Sequence, residues 1–116
     1  ILSELNQGVR WEIIECEGRP AGFISYAEEP NVRLLRLHKL YVLPECQGRG
    51  LGQLGLGHVR ETARRLDCHC VELRVNQRNA RAIRSYERFG FRVARTALSD
   101  IGHGFVMDDF VMTLEV

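Results

Sequence analysis

The sequence predicts one α/β domain, a mixed sheet flanked by helices, spanning all 116 residues. Residues 11–43 alternate apolar and polar positions between turn residues, the pattern of consecutive strands. Two later stretches, 51–66 and 79–89, carry apolar residues at helical spacing. Strand patterns separate and follow them, so helices and strands alternate in the second half. With 45% hydrophobic residues the chain can bury one core, and its length leaves no room for a second.

In order, Trp11–Cys16 reads as a strand, Glu17–Pro20 as a turn and Ala21–Tyr26 as a second strand, together a hairpin. Glu28–Asn31 forms the next turn. Val32–Leu43 is a long third strand with Leu35, Leu37, Lys39 and Tyr41 on one face, stopped by Pro44. Leu51–Leu66 is a helix whose apolar face combines Leu51, Leu54, Val59, Ala63 and Leu66. Gly55 and Gly57 each cost that helix about 1 kcal/mol relative to alanine, which suggests tight packing against the sheet. Cys70–Val75 is a short strand. Asn79–Phe89 is a second helix with Ala82, Ile83, Tyr86 and Phe89 inward, and Gly90 closes it in a left-handed cap. Phe91–Leu98 and Phe105–Val116 are the last strands, around a glycine-rich turn at 99–104.

Composition narrows the function classes. Sixteen Lys and Arg oppose fifteen Asp and Glu, a net charge of +1, which gives no general reason to expect nucleic-acid or membrane partners. The longest apolar run falls far short of the ~20 residues of a membrane span. Cys16, Cys46, Cys68 and Cys70 lack the spacing of a disulfide scaffold, which fits a reducing, cytoplasmic location. Cys68-His69-Cys70 has no second ligand pair, so no metal is expected.

The most informative stretch is Pro44-Glu45-Cys46-Gln47-Gly48-Arg49-Gly50-Leu51-Gly52, which joins a strand to a helix. Glycines at 48, 50 and 52 leave backbone N–H groups uncovered, and the helix N-terminus adds partial positive charge. The combination suits a phosphate or pyrophosphate. A P-loop is excluded because no lysine follows the glycines. A dinucleotide fingerprint is excluded because three strands precede the loop.

Gln47-x-x-Gly50-x-Gly52 after Leu40-Tyr41-Val42-Leu43-Pro44 resembles the acetyl-CoA signature of the GNAT superfamily of N-acetyltransferases. A second matching set follows: Asn79-Ala80, then Tyr86, then Phe89-Gly90-Phe91. The resemblance covers roughly residues 11–116. It implies a GNAT-type fold and acetyl transfer from the cosubstrate acetyl-CoA directly to a primary amine of a small molecule or protein. By that resemblance, backbone groups of Leu40, Tyr41 and Val42 would pair with the pantetheine arm. Gln47 opens the loop, and amides of Gly48, Arg49, Gly50, Leu51, Gly52 and Gln53 would hold the pyrophosphate. Asn79 would bond the coenzyme near the thioester, and Tyr86 would protonate the departing thiolate. Tyr86 also fits the simpler role of a core aromatic. The outer arginines Arg78, Arg81, Arg84 and Arg88 would either contact the 3′-phosphate of the coenzyme or only solvate the helix, and Arg78 is the best placed for the phosphate.

The amine must lose a proton. Some relatives place a glutamate five residues before the asparagine, where this chain has Arg74. Asp108, Asp109, His103, His38 and Glu72 remain candidates, with Asp108 and Asp109 favoured for contacting a cationic acceptor. Cys46 has no assignable histidine partner, which argues against a cysteine-linked intermediate. The rival reading is a non-catalytic acyl-CoA-binding or sensing module, which would have no need of Tyr86.

Family members usually begin with a strand and one or two helices that this chain lacks, so one wall of the acceptor site is expected from elsewhere. Ile1, Leu2 and Leu5 look like the end of a helix. Either preceding residues or a second copy, making a homodimer, would cover the exposed sheet edge.

Overall fold

The computed structural model describes residues 8–102 and 105–116, with residues 98–102 and 105–107 as backbone only. Ile1, Leu2, Leu5 and His103 therefore lie outside the described residues. Six strands form one sheet in the order β1-β2-β3-β4-β6-β5. They are β1 Arg10–Cys16, β2 Arg19–Glu29, β3 Leu34–Val42, β4 Cys70–Asn76, β5 Arg92–Gly102 and β6 Phe105–Glu115. Helix α1, Leu51–Arg65, connects β3 to β4, and α2, Ala80–Phe89, connects β4 to β5. The mixed sheet flanked by helices is as expected. β3 and β4 are parallel, and every other neighbouring pair is antiparallel.

Both helices pack on one face. Along β4, Val71, Leu73 and Val75 enter the core with Leu56, Val59 and Ala63 of α1, while Ala82, Ile83, Tyr86 and Phe89 of α2 pack against it. The alternate β4 residues, Glu72, Arg74 and Asn76, point to the opposite, open face, as strand periodicity requires. Gln53 Nε2 donates to the Ser85 carbonyl (3.0 Å) and hydroxyl (3.2 Å), tying the helices together.

Several local readings change. The third strand starts at Leu34, because Pro30–Val32 forms a 3-10 turn and Arg33 is left-handed at φ 52°. Leu35 and Leu37 do not share a face with Lys39 and Tyr41. Lys39 faces Ser25 and Leu37 faces Tyr26, so His38 is an extra residue without a β2 counterpart. Such a bulge reverses the alternation. Beyond it Leu40 and Val42 turn to the core, while Tyr41 stacks on Phe23 (5.7 Å) and Lys39 lies over Trp11 (5.0 Å). Leu54 is 62% exposed, and Leu56 takes the inward place assigned to it. A Cβ on Gly55 would meet Leu40 Cδ1 at 3.1 Å, as tight packing predicts, whereas Gly57 faces open space. Gly90 ends α2 at φ 124°, outside the left-handed helical well, and its N–H donates to the Tyr86 and Glu87 carbonyls. β5 continues through positions expected to be a turn, to Gly102.

The β3–β4 ladder positions the site. It has three pairs, Leu34–Cys70, Leu35–Val71 and Arg36–Glu72. Both strands run on beyond it without pairing to each other, to Val42 and to Asn76. The sheet is therefore split toward the end that carries the glycine loop.

Candidate acetyl-CoA site

Where the strands part, a cavity of about 450 Å3 opens on the helix-covered face. Leu40 and Val42 supply one wall, Gln47, Gly48, Gly50 and Gly52 the end, and Asn79, Ala82 and Tyr86 of the α2 region the other wall. Gly48 and Gly50 have φ +83° and +78°, which only glycine adopts without strain, and no atom lies within 4 Å of the Cβ either would carry. Gly50 is also the residue from which α1 starts. The loop thus presents bare amides at a helix N-terminus, the arrangement that attracts phosphate oxygens. Gln47 Nε2 donates to the Val42 carbonyl (3.1 Å), so this side chain braces the loop.

Asn79 Oδ1 accepts from the Ala82 N–H (3.2 Å), capping α2. That bond fixes the side chain and leaves its amide donors for a ligand. Tyr86 is half-buried, edge-on to Phe91 at 5.8 Å. Burial raises its pKa, so the phenol keeps its proton at neutral pH.

Leu40, Val42, Gln47, Gly48, Gly50, Leu51, Gly52, Gln53, Asn79 and Tyr86 are thus brought to one cavity. Tyr41 is turned from it by the bulge, leaving its backbone on β3, and Arg49 does not line it; the Arg49 guanidinium lies 4.0 Å from Cys16 Sγ. Arg78 lies instead in a separate hollow with Asn76, Gln77 and Asp108. The arginines lining the cavity are Arg81 and Arg88. Sequence reasoning placed them on the outer face of α2; only the packing of α2 beside the loop shows that this face borders the cavity.

Asp108 and Asp109 do not act as a pair. Asp109 is 5% exposed, and its Oδ2 lies 3.2 Å from Arg74 Nε. Asp108 is exposed and accepts from Gln77 Nε2 at 2.8 Å. Successive strand residues face opposite ways, which separates them. Glu72 Oε1 is held by Arg36 (3.2 Å) and Arg95 (3.6 Å). Among the described residues no group of three or more His, Cys, Asp or Glu could hold a metal ion.

Residues 3–91 match the model of the acetyltransferase (GNAT) family. The chain belongs to that family. This GNAT chain is 34% identical over 86 residues to an uncharacterized N-acetyltransferase of Methanocaldococcus jannaschii, covering 68% of this chain and 37% of that one. It is 38% identical over 84 residues to the L-methionine sulfoximine/L-methionine sulfone acetyltransferase of Salmonella typhimurium, covering 70% and 49%. It therefore spans half or less of these relatives' lengths. A solved putative acetyltransferase from Salmonella typhimurium, with its cofactor acetyl-CoA, superposes with a TM-score of 0.78 at 24% identity, covering 98% of this GNAT chain and 68% of that one. That likeness concerns the fold.

Proposed function

We propose that this chain is the catalytic domain of an acetyl-CoA-dependent N-acetyltransferase that moves the acetyl group directly to a primary amine of a small molecule or protein. The observation that carries the reading is the single cavity joining the bare-amide loop to Asn79 and Tyr86. The loop amides of residues 48–53 receive the pyrophosphate, and the unpaired edge of β3 from Leu40 to Val42 runs beside the pantetheine. Asn79 donates to the arm near the thioester. Arg81 and Arg88 offer charge for the remaining phosphate. The amine nitrogen attacks the thioester carbonyl, the carbon–sulfur bond breaks, and the thiolate takes the Tyr86 proton.

Asp108 is the exposed carboxylate available to a cationic acceptor, while Asp109 anchors Arg74. The sulfoximine-acetylating relative supports a small-molecule amine. Cys16, Cys46, Cys68 and Cys70 are all free thiols, in keeping with the cytoplasm. No described helix is long and apolar enough to cross a membrane. The balanced charge favours neither nucleic acid nor membrane as a partner. Ile13 is 63% and Tyr41 44% exposed on the open face, which supports burial of that face in a homodimer.

The test is thiol release from acetyl-CoA with a panel of amines, beside calorimetric titration with CoA. Turnover, with CoA binding abolished in Gly50→Glu, is expected. CoA binding without turnover would instead favour the sensing module.

A further inference from the structure

We infer that Gln53 is a positioning residue for the acid: its side chain sets where the Tyr86 phenol stands by holding the turn of α2 that carries it. The inference rests on the acetyl-transfer reading and adds to it a link between the phosphate end of the cavity and the acid end. Gln53 lies in the first turn of α1, and both it and Ser85, the residue before Tyr86, line the cavity. Gln53 Nε2 donates to the Ser85 carbonyl oxygen at 3.0 Å and to its hydroxyl at 3.2 Å. A carbonyl oxygen only accepts, and its second lone pair stays open after the helix's own N–H is served, so the Gln53 amide must turn its nitrogen to α2. Both residues are half-buried, where water competes less for such a bond than at the surface.

Helix α2 needs that hold. None of its ten residues is fully buried. Ala82, Ile83, Tyr86 and Phe89 pack on the core as partly buried side chains. A helix gripped so shallowly takes its height and rotation from the directed contacts it makes. Along α1 these include the Gln53 bond and the Arg60 guanidinium, 4.8 Å from the centre of the Phe89 ring. Arg60 follows Gln53 by two turns and Phe89 follows Ser85 by one, so both contacts run along one seam. Of the two, the Gln53 bond is the one at the cavity, and it holds the peptide next to Tyr86.

In the proposed binding mode the main-chain N–H of Gln53 faces the pyrophosphate. One residue then places the phosphates with its backbone and the proton donor with its side chain. The two roles separate on substitution, because replacing the side chain leaves the main-chain N–H where it was.

The experiment is a double-mutant cycle between Tyr86→Phe and two replacements that fill the same space without a donor, Gln53→Leu and Gln53→Met. Thiol release from acetyl-CoA gives kcat, and calorimetry gives CoA affinity. Misplacing a reacting group by 1 Å can cost about 10²-fold, and for this smaller shift we expect kcat about tenfold lower in both variants. Their CoA affinity should stay within about twofold of wild type. In the Tyr86→Phe background the same replacements should cost nothing further, because no phenol proton remains to be misplaced. An equal loss in both backgrounds would mark a merely structural role and overturn the inference. Wild-type kcat in either folded single variant overturns it as well, and so does a loss of CoA affinity with kcat kept. A wild-type chain that binds CoA but releases no thiol with any amine overturns the acetyl-transfer reading and the positioning role with it.

Discussion

The Tyr86 phenol loses water on entering the interface between α2 and the sheet, and that desolvation raises its pKa. A donor that stays protonated suits a thiolate leaving group. Tyr86→Phe keeps the ring that packs on Phe91 and removes only the proton. We expect a kcat about 10²-fold lower with CoA affinity unchanged, since general acids contribute at least that much. Wild-type kcat in this variant, measured by thiol release, would make Tyr86 a packing residue. That Tyr86 and Asn79 share one cavity was readable in the sequence, because they lie at a local spacing on and beside one helix. The Asp109–Arg74 pair was not, since β6 meets β4 only after α2 and β5 have intervened. Sequence adjacency instead suggested an Asp108–Asp109 pair that strand periodicity forbids.

At the scale of elements, β1, β2 and α1 meet at one polar knot. Tyr26 Oη donates to Glu12 Oε2, and His58 Nε2 lies 2.9 Å from the same oxygen. Burial, then the bond to Glu12, raises the Tyr26 pKa, and burial also raises those of Cys68, Cys70 and Tyr86. In each case the folded state holds its proton longer than the unfolded chain. Their contribution is whole below the unfolded values, about 9 for the thiols and 10 for the phenols, and declines as pH rises above them. Urea unfolding between pH 8 and 11 should show falling stability, with a shallower fall in Tyr26→Phe. Parallel curves would show that Tyr26 takes no part. Elements themselves were legible where period and turn residues agreed, as in α2. The face of β3 was not, because the bulge at His38 exists only in register with β2. Leu54 was misplaced for a related reason: the close approach of Gly55 to Leu40 sets the rotation of α1, a distance no helical period contains.

At the scale of the molecule, the class of fold followed from the order of strands and helices, while the position of the cavity followed from a pairing that stops. A three-pair ladder makes the sheet two halves, β1–β3 and β4–β6–β5, sharing a short seam that α1 spans. In the proposed binding mode, a pantetheine arm laid along β3, with its phosphates on α1 and its thioester end against α2, would touch both halves and act as a splint. Ligand that binds only this joined state stabilises it by mass action. Amide exchange at Leu34–Arg36 and Cys70–Glu72 should therefore slow when CoA is added, more than exchange within the β1–β2 hairpin; equal slowing everywhere would mean that the halves never part. If the exchange pattern holds, the same short seam that leaves room for the cosubstrate would make the empty domain softer along one line, and the cosubstrate, while bound, would be part of the scaffold.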